Sequence, residues 1–575
     1  MFSRLVFPGK CRFEGPGFVR VLLAGMVVAT AASPAGAQVQ NWDTDGNAIS
    51  SGDFIGTTNS YSFDLKAYGY RAFRLTGHST SPMVVGGNSS NSATSGAYGA
   101  TISGGGDSAN PNVVTDVYGT VGGGRLNYAG DSAGTVTDAP AATVGGGQYN
   151  RAQQDYATVG GGRNNTASAT YSTICGGYDN SASGNYSTVA GGTGNSAANG
   201  NATVGGGSAN EASGASSLVA GGIGNEASYN AATVAGGNHN TASGSEATVA
   251  GGYYNQATSL SATVAGGEVN LASGWYASVG GGNGNAATAT STTVAGGADN
   301  TIEGPYGTIC GGASNYIPEY ATYGVITGGS GNAVGGLADY PVVGGGLSNA
   351  ANGDYATVPG GRLNEADGEY SFAAGRRAKA DSAGCFAWAD SYDADFSCST
   401  ANQFDVRAGG GLYFYTSSDL STYIYASTGN AFWSYSSDRD LKEGFEPVEP
   451  EEVLERLAGL PIATWSFRAS PIHDRHMGPM AQDFHAAFGL GDDPRRITSI
   501  DESGVAFAAI QGLLARLRRA ESRIAKLEEQ RGWAKRAGAA KRSDHAVALA
   551  LFAAAGGAVV VHRRRRGQKN ARSGE

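Results

Sequence analysis

A motif that returns every fifteen residues limits what this chain can fold into. From Asn150 to Asn315, each fifteenth residue is an Asn that closes a Gly-Gly-x-x-Asn run. Six places before each Asn stands a β-branched residue, as in Val144, Val159, Ile174, Val189 and onward to Ile309. With looser spacing the motif also ends at Asn127, Asn332, Asn349 and Asn364. A fixed period of this size is one small supersecondary unit stacked on copies of itself, so the middle of the chain reads as a solenoid.

In ATVAGGNHNTASGSE, residues 232–246, a short strand Ala-Thr-Val-Ala runs into glycines and an Asn, which suit turns needing positive φ. The second strand, Thr-Ala-Ser, is three residues long, and no room is left for a helix. Each repeat is therefore predicted to be one coil of two short strands and two tight turns, paired in parallel with the coils above and below. Sixteen motif copies at roughly 4.8 Å per coil make a rod of about 75 Å. One coil buries a Val and a few Ala, worth about 2 to 3 kcal/mol. Backbone ordering costs roughly 1 to 2 kcal/mol per residue, so a single thin roll needs both stacking and neighbouring chains.

The glycines have other possible uses. A phosphate loop requires Gly-Lys-Ser/Thr after its glycines, and no copy has it. Calcium-binding β-rolls repeat at nine residues and collagen at three, so both fail on period. Gly-Gly-x-x-Asn is read as structural. Over roughly residues 84–375 the repeats resemble the head repeats of YadA-like trimeric autotransporter adhesins. That resemblance implies a left-handed parallel β-roll that associates as a homotrimer.

The chain has 575 residues, 93 of them Gly, with 15% charged residues and a net charge of -10. Abundant Gly, Ala, Ser and Thr with little charge fits a secreted mainly β solenoid better than an enzyme with one large core. The acidic balance speaks against a nucleic-acid partner. Residues 1–37 read as a signal peptide: Arg4, Lys10, Arg12 and Arg20 precede the apolar run Val21–Ala32, and Ala35-Gly36-Ala37 offers a cleavage site. Export to the cell surface or beyond is expected, with a mature start near Gln38.

Cys175 and Cys310 sit at one place in repeats nine coils apart, roughly 43 Å along the rod, out of reach of a bridge within one chain, and are expected to be small buried residues. Cys385 and Cys398 could pair, which the residues alone do not decide. Near the end, Ala546–Val561 is apolar and is followed by His562 and Arg563–Arg566. As a helix of about 24 Å it falls short of the roughly 30 Å hydrocarbon core but could insert with local thinning. Three readings stay open: a membrane anchor at 546–561, a sorting tail, or an Ala-rich surface helix. No alternating ten-residue strands of an outer-membrane barrel stand near the end.

After about residue 375 the period stops and aromatics crowd in, among them Phe404, Tyr413, Phe414, Tyr415, Tyr423 and Trp433. A charged stretch follows, in which Glu451–Leu460 and Met480–Phe488 read as helices and Ile462–Phe467 as a strand. From Val505 to about Gln530, Ile510, Leu513, Leu517, Ala520, Ile524 and Leu527 alternate at spacings of three and four, a heptad seam for a parallel coiled coil.

Ser437 precedes Lys442 by five residues, and a lysine whose pKa is lowered by burial can take a proton from a serine hydroxyl as general base. Spacing alone is a weak signal. Around it stand Ser437-Asp438-x-x-Leu441-Lys442-Glu443, Leu460-Pro461 with Trp465, Met477-Gly478-x-x-Ala481-Gln482-Asp483, and a terminal heptad helix. Together, over about residues 437–530, these resemble the endosialidase-type intramolecular chaperone domain found at the ends of phage tailspikes and fibres. The resemblance implies a trimeric chaperone that cuts itself off, with Ser437 as nucleophile, Lys442 as base and Ser436-Ser437 as the severed bond. His473, His476 and His485 are assigned structural or solvent roles, since no metal spacing such as His-Glu-x-x-His is present. Asp438 and Asp440 are expected to cap the next turn or pair with Arg439.

The predicted organisation is a signal peptide at 1–37, a β cap at 38–83, the β-roll head at 84–375, a strand-rich neck at 376–436, an α+β chaperone at 437–530 ending in a coiled-coil helix, a basic linker at 531–545, a transmembrane or sorting segment at 546–566 and a tail at 567–575. Neither cofactor nor metal is expected. The expected partners are the chain itself as a homotrimer, an unidentified surface ligand and a membrane, with the self-cleaving serine endopeptidase as sole enzyme. Nearly identical coils pair almost as well after a slip of fifteen residues, so a C-terminal clamp that aligns three chains answers a real need. A prophage tail fibre or tailspike and a passive coat protein with an inactive dyad are the alternatives.

Overall fold

The computed structural model describes residues 55–530. The expected signal segment and the apolar terminal stretch lie outside them. The described chain is mainly β, a parallel solenoid of about 22 coils followed by a C-terminal region with a few helices. It divides into two compact units: one runs to Tyr413 and takes in Tyr425–Trp433, and the other comprises Phe414–Ile424 and the chain from Ser434.

In the first unit the coils stack as the period predicts. Thr233–Val234 pairs in parallel with Thr248–Val249, and Thr241–Ala242 with Gln256–Ala257, fifteen residues on. The strands are two residues long, shorter than their sequence suggests, and a third parallel column runs through single bridges such as Asn238 to Tyr253. Alternation along each strand turns one side chain inward: Val234 and Ala242 are fully buried, while Thr233 and Thr241 stand half-buried outside. With Ala232 and Asn240 they make up the buried side chains of that coil.

The recurrent Asn has a different task from the one expected. Asn240 is not the left-handed residue of its turn; His239 before it is, at φ 55°. Asn240 is instead sealed in the core, where its Oδ1 accepts the Asn255 backbone N–H at 2.9 Å and its Nδ2 donates to Gly236 O and Gly252 O, each at 2.9 Å. The same link runs from Asn91 through coil after coil to Asn364, whose Oδ1 accepts from Ala378 N. A buried amide with its partners satisfied stabilises each turn without introducing charge. At Gly237, φ is 89°, and a Cβ there would collide with Gly252 O and Asn240 Nδ2, which is why the second glycine recurs.

The other turn of each coil also holds a non-glycine residue at positive φ, such as Tyr306, Tyr323, Tyr340, Tyr355 and Tyr370. Each backbone N–H of this column donates to the preceding coil, as Tyr355 N does to Asp339 O at 2.8 Å, which offsets a cost of about 1 to 2 kcal/mol. Because coil rise and ring spacing nearly match, these five tyrosines stack outside at 4.7 to 5.3 Å with their planes within 8°.

Both ends of the solenoid depart from the motif. At the start, β1 (Phe63–Ala67) and β2 (Tyr70–Thr76) form an antiparallel hairpin turning at Tyr68-Gly69, both at positive φ. β3 (Met83–Gly86) pairs antiparallel with β2 and parallel with Thr101–Ile102, so the hairpin covers the edge of the first coil. At the other end the ladders continue beyond the last motif copy, through longer strands at Phe372–Arg376, Phe386–Ala389 and Phe404–Arg407. Part of what the sequence suggests is neck is therefore solenoid, with the rings of Phe372, Phe386 and Phe404 replacing the tyrosine stack. Cys385 and Cys398 form a disulfide here, closing a loop of 13 residues, which by chain entropy is worth about 3 kcal/mol.

Cys175 and Cys310 correct the expectation of burial, being half-buried and exposed. Each follows a fully buried Ile, Ile174 or Ile309, so the alternation of the strand turns it outward.

In the second unit, α1 (Pro450–Ala458), α2 (Ala481–Phe488) and α3 (Ser499–Gln530) enclose a small core of Leu460, Phe484 and Val505. Gly512 lets the start of α1 close onto α3, since a Cβ there would strike Pro450 O. Arg516 and Arg519 of α3 pair with Glu455 and Glu451 of α1. Ala463–Trp465 and His476–Gly478 form an antiparallel pair beside these helices in sequence. Among the described residues, no helix is long and apolar enough to cross a membrane.

Candidate functional site

Ser436 is held by two bonds to one residue: its backbone N–H donates to Tyr423 O at 2.9 Å, and its Oγ accepts from Tyr423 N at 3.1 Å. The peptide bond that follows thus leaves a fixed point. Asp438 then caps the single turn Arg439–Leu441, its Oδ1 accepting from Asp440 N at 3.0 Å. The turn closes with Lys442 N donating to Arg439 O at 3.1 Å. A turn of this length folds residue 442 back over residue 437, and Lys442 Nζ donates to Ser437 Oγ at 2.6 Å.

Asp438 therefore acts as the cap expected of it, and it orders the turn that joins the two site residues. Arg439 lies over the Phe445 ring at 5.5 Å. Ser437 and Lys442 are both exposed. The burial that would help turn lysine into a base is thus not provided by this chain's own fold.

The histidines have partners elsewhere. His476 packs on Trp465 at 4.8 Å between ring centroids, and His485 Nδ1 lies 2.9 Å from Leu490 O. His473 accepts at its backbone oxygen from Ser466 Oγ, at 3.1 Å. Among the described residues no hydrogen bond joins any of the three to Ser437.

The predicted seam of α3 stands open along a single chain. Leu513, Leu517, Ile524 and Leu527 are exposed, whereas Val505 and Ala509 on an adjacent face of the same helix are buried. Chemically, the stretch offers a serine hydroxyl beside an amine, next to a peptide bond pinned on its N-terminal side, upstream of a helix with an uncovered apolar seam.

No curated protein matches the chain. The model of the family described as chaperone of endosialidase, a family of self-cleaving intramolecular chaperones, matches residues 437–489 and begins at Ser437 itself.

Proposed function

We propose that this chain is an exported, homotrimeric, fibre-like surface protein with an adhesin-like head, whose C-terminal domain drives trimer folding and then cuts the Ser436-Ser437 bond. A β-solenoid with a chaperone-of-endosialidase domain fits a trimeric protein of tail-fibre or adhesin type. The observation that carries the cleavage is the 2.6 Å contact of Lys442 Nζ with Ser437 Oγ at the first residue of the family match.

In the proposed step, neutral Lys442 takes the hydroxyl proton while Ser437 Oγ attacks the carbonyl carbon of Ser436. The C–N bond breaks, the Ser437 nitrogen leaves as an amine carrying the proton, and an ester joins Ser436 to Ser437 Oγ. Water then hydrolyses the ester, releasing a carboxylate on Ser436 and restoring the hydroxyl. Export is supported by residues 1–37 and by the Cys385–Cys398 disulfide, which suits an oxidising compartment. Trimer formation is supported by the uncovered seam, and contact between chains is the means by which Lys442 becomes desolvated. Cutting after assembly removes the easy route back, leaving the head kinetically stable.

Expression of the full chain tests this. Mass measurement should find two products parted between Ser436 and Ser437, and Ser437→Ala should leave only uncut chain. Lys442→Ala should slow cutting by about 10² to 10⁴-fold, the usual contribution of a general base. Cutting at this bond that survives either change at the original rate removes the dyad. A prophage tail fibre is the second reading, favoured by the family's endosialidase connection. N-terminal sequencing of the mature protein separates the two, since a start at Met1 instead of near Gln38 supports the phage reading.

A further inference from the structure

Between Asn127 and Asn150 the ladder spans 23 residues where its period is 15. The extra residues form a loop over 130–141 with its own anchoring. Val117 N donates to Val136 O at 2.8 Å, Ala141 N donates to Val117 O at 3.0 Å, and Val136 packs against the solenoid core. Asp131 and Asp138 of this loop come together with Asp116 of the preceding coil, one oxygen from each lying within 4.8 Å of the others.

Asp116 is the unusual member. It is 1% exposed, in a column where other coils carry small residues such as Ala169 and Gly184. Its Oδ2 accepts from Thr115 Oγ1 at 2.8 Å and from Asp131 N at 3.0 Å. Its Oδ1 is buried with no hydrogen-bond partner. A Cβ at Gly130 would collide with Oδ2, so that glycine keeps room for the carboxylate. A cavity of about 160 Å³ opens beside Asp116 and Asp131, lined also by Thr94, Thr115 and Thr135. Burial raises the Asp116 carboxyl above the usual range, and Asp131 and Asp138 push it the same way. Burying one carboxylate oxygen without a donor, beside two further acids, is costly unless the carboxyl takes a proton or a cation is shared among the three, and only a cation would also hold the two loop acids.

We propose that Asp116, Asp131 and Asp138 bind a calcium-sized divalent cation that pins the inserted loop to the solenoid. The donors are all oxygens, the set preferred by hard cations, and three carboxylates on a coil and a loop suit the flexible geometry of Ca²⁺ better than the strict octahedron of Mg²⁺. The site is independent of the proposed cleavage, because it lies on the solenoid and uses neither Ser437 nor Lys442.

Titration of the full chain with CaCl₂, after dialysis against EDTA, tests the site by calorimetry and by melting. One ion per chain should bind with a dissociation constant on the order of 10⁻⁴ to 10⁻³ M, as in extracellular modules. Asp131→Asn and Asp138→Asn change loop side chains that the solenoid core does not use, so they should fold and weaken Ca²⁺ at least tenfold. Asp116→Asn should abolish binding while melting in EDTA no lower than the parent. Absence of binding by the parent chain at millimolar Ca²⁺, or unchanged affinity in both loop variants, overturns the proposal. So does an Asp116→Asn variant that folds, binds Ca²⁺ as the parent does, and loses stability equally in EDTA and in Ca²⁺.

Discussion

In the coils Val234, Val249 and Val264 are sealed completely, whereas in the C-terminal unit Leu513, Leu517 and Ile524 of α3 stand more than one third exposed. The solenoid finishes its core within one chain, coil by coil, and its Asn ladder satisfies its own amides. Nothing in those contacts distinguishes one coil from the next. The helical unit buries only a few residues and leaves a seam at heptad spacing, a surface that is complete only when covered. An array that closes its core coil by coil but is register-blind, and a helix that is incomplete but register-specific, are complementary, which is the physical content of the proposed chaperone.

Filling the seam with charge breaks the comparison most severely. Leu517→Glu with Ile524→Glu should prevent trimers, since each buried side chain of this kind is worth about 1.5 to 3 kcal/mol and every chain of the trimer loses two. Cutting at Ser436-Ser437 should disappear along with trimers if contact between chains desolvates Lys442. Analytical ultracentrifugation with mass measurement checks both, and uniform cut trimers from this variant would detach the helix from assembly.

Removing one rung of the ladder should cost less and stay local. Asn240→Ala deletes the acceptor of Asn255 N and the donor to Gly236 O and Gly252 O. Leaving the buried Asn255 N–H unpaired costs about 1 to 3 kcal/mol before any relaxation, while Gly252 O keeps Asn238 N as a donor. Hydrogen exchange should rise in the coils adjoining residue 240 and remain unchanged some coils away, as a one-dimensional stack requires. Exchange that rises along the whole solenoid would mean that the coils fold as one block.

The period of fifteen made the solenoid legible because a repeat reports both the coil and the inward Val at each turn. Heptad spacing exposed α3 in the same way, and Ser437 and Lys442 stood out through their surrounding motif. What stayed hidden depends on contacts between coils. That Asn240 accepts from the following coil, and that Tyr340 takes positive φ, cannot be read from one repeat. Asp116, Asp131 and Asp138 are scattered in sequence, and their only trace was the widened gap between Asn127 and Asn150. Cys175 and Cys310 misled because small apolar residues occupy inner and outer positions alike.

A contrast within the solenoid yields the smallest expected effect. Its middle coils are held by neutral amides, but its last coils are tied by ion pairs: Arg377 with Asp395 at 2.9 Å and Arg407 with Asp390 at 3.0 Å. The Gly409 backbone N–H, then that of Tyr392 and the Arg407 guanidinium, hold the Asp390 carboxyl below its ordinary value. Arg377 does the same for Asp395. A carboxyl whose folded pKa is lowered stabilises the fold fully above the ordinary Asp range, near 4, and loses that contribution as pH falls through the lowered value. Acid should therefore loosen residues 376–407 before it touches the coils around Asn240, with the Cys385–Cys398 disulfide limiting how far they open. Hydrogen exchange compared at pH 5 and in the range of about 2 to 3, each corrected for intrinsic rates, should show protection falling first at the end coils. Equal loss in both places would mean that these ion pairs contribute nothing measurable to the end of the rod.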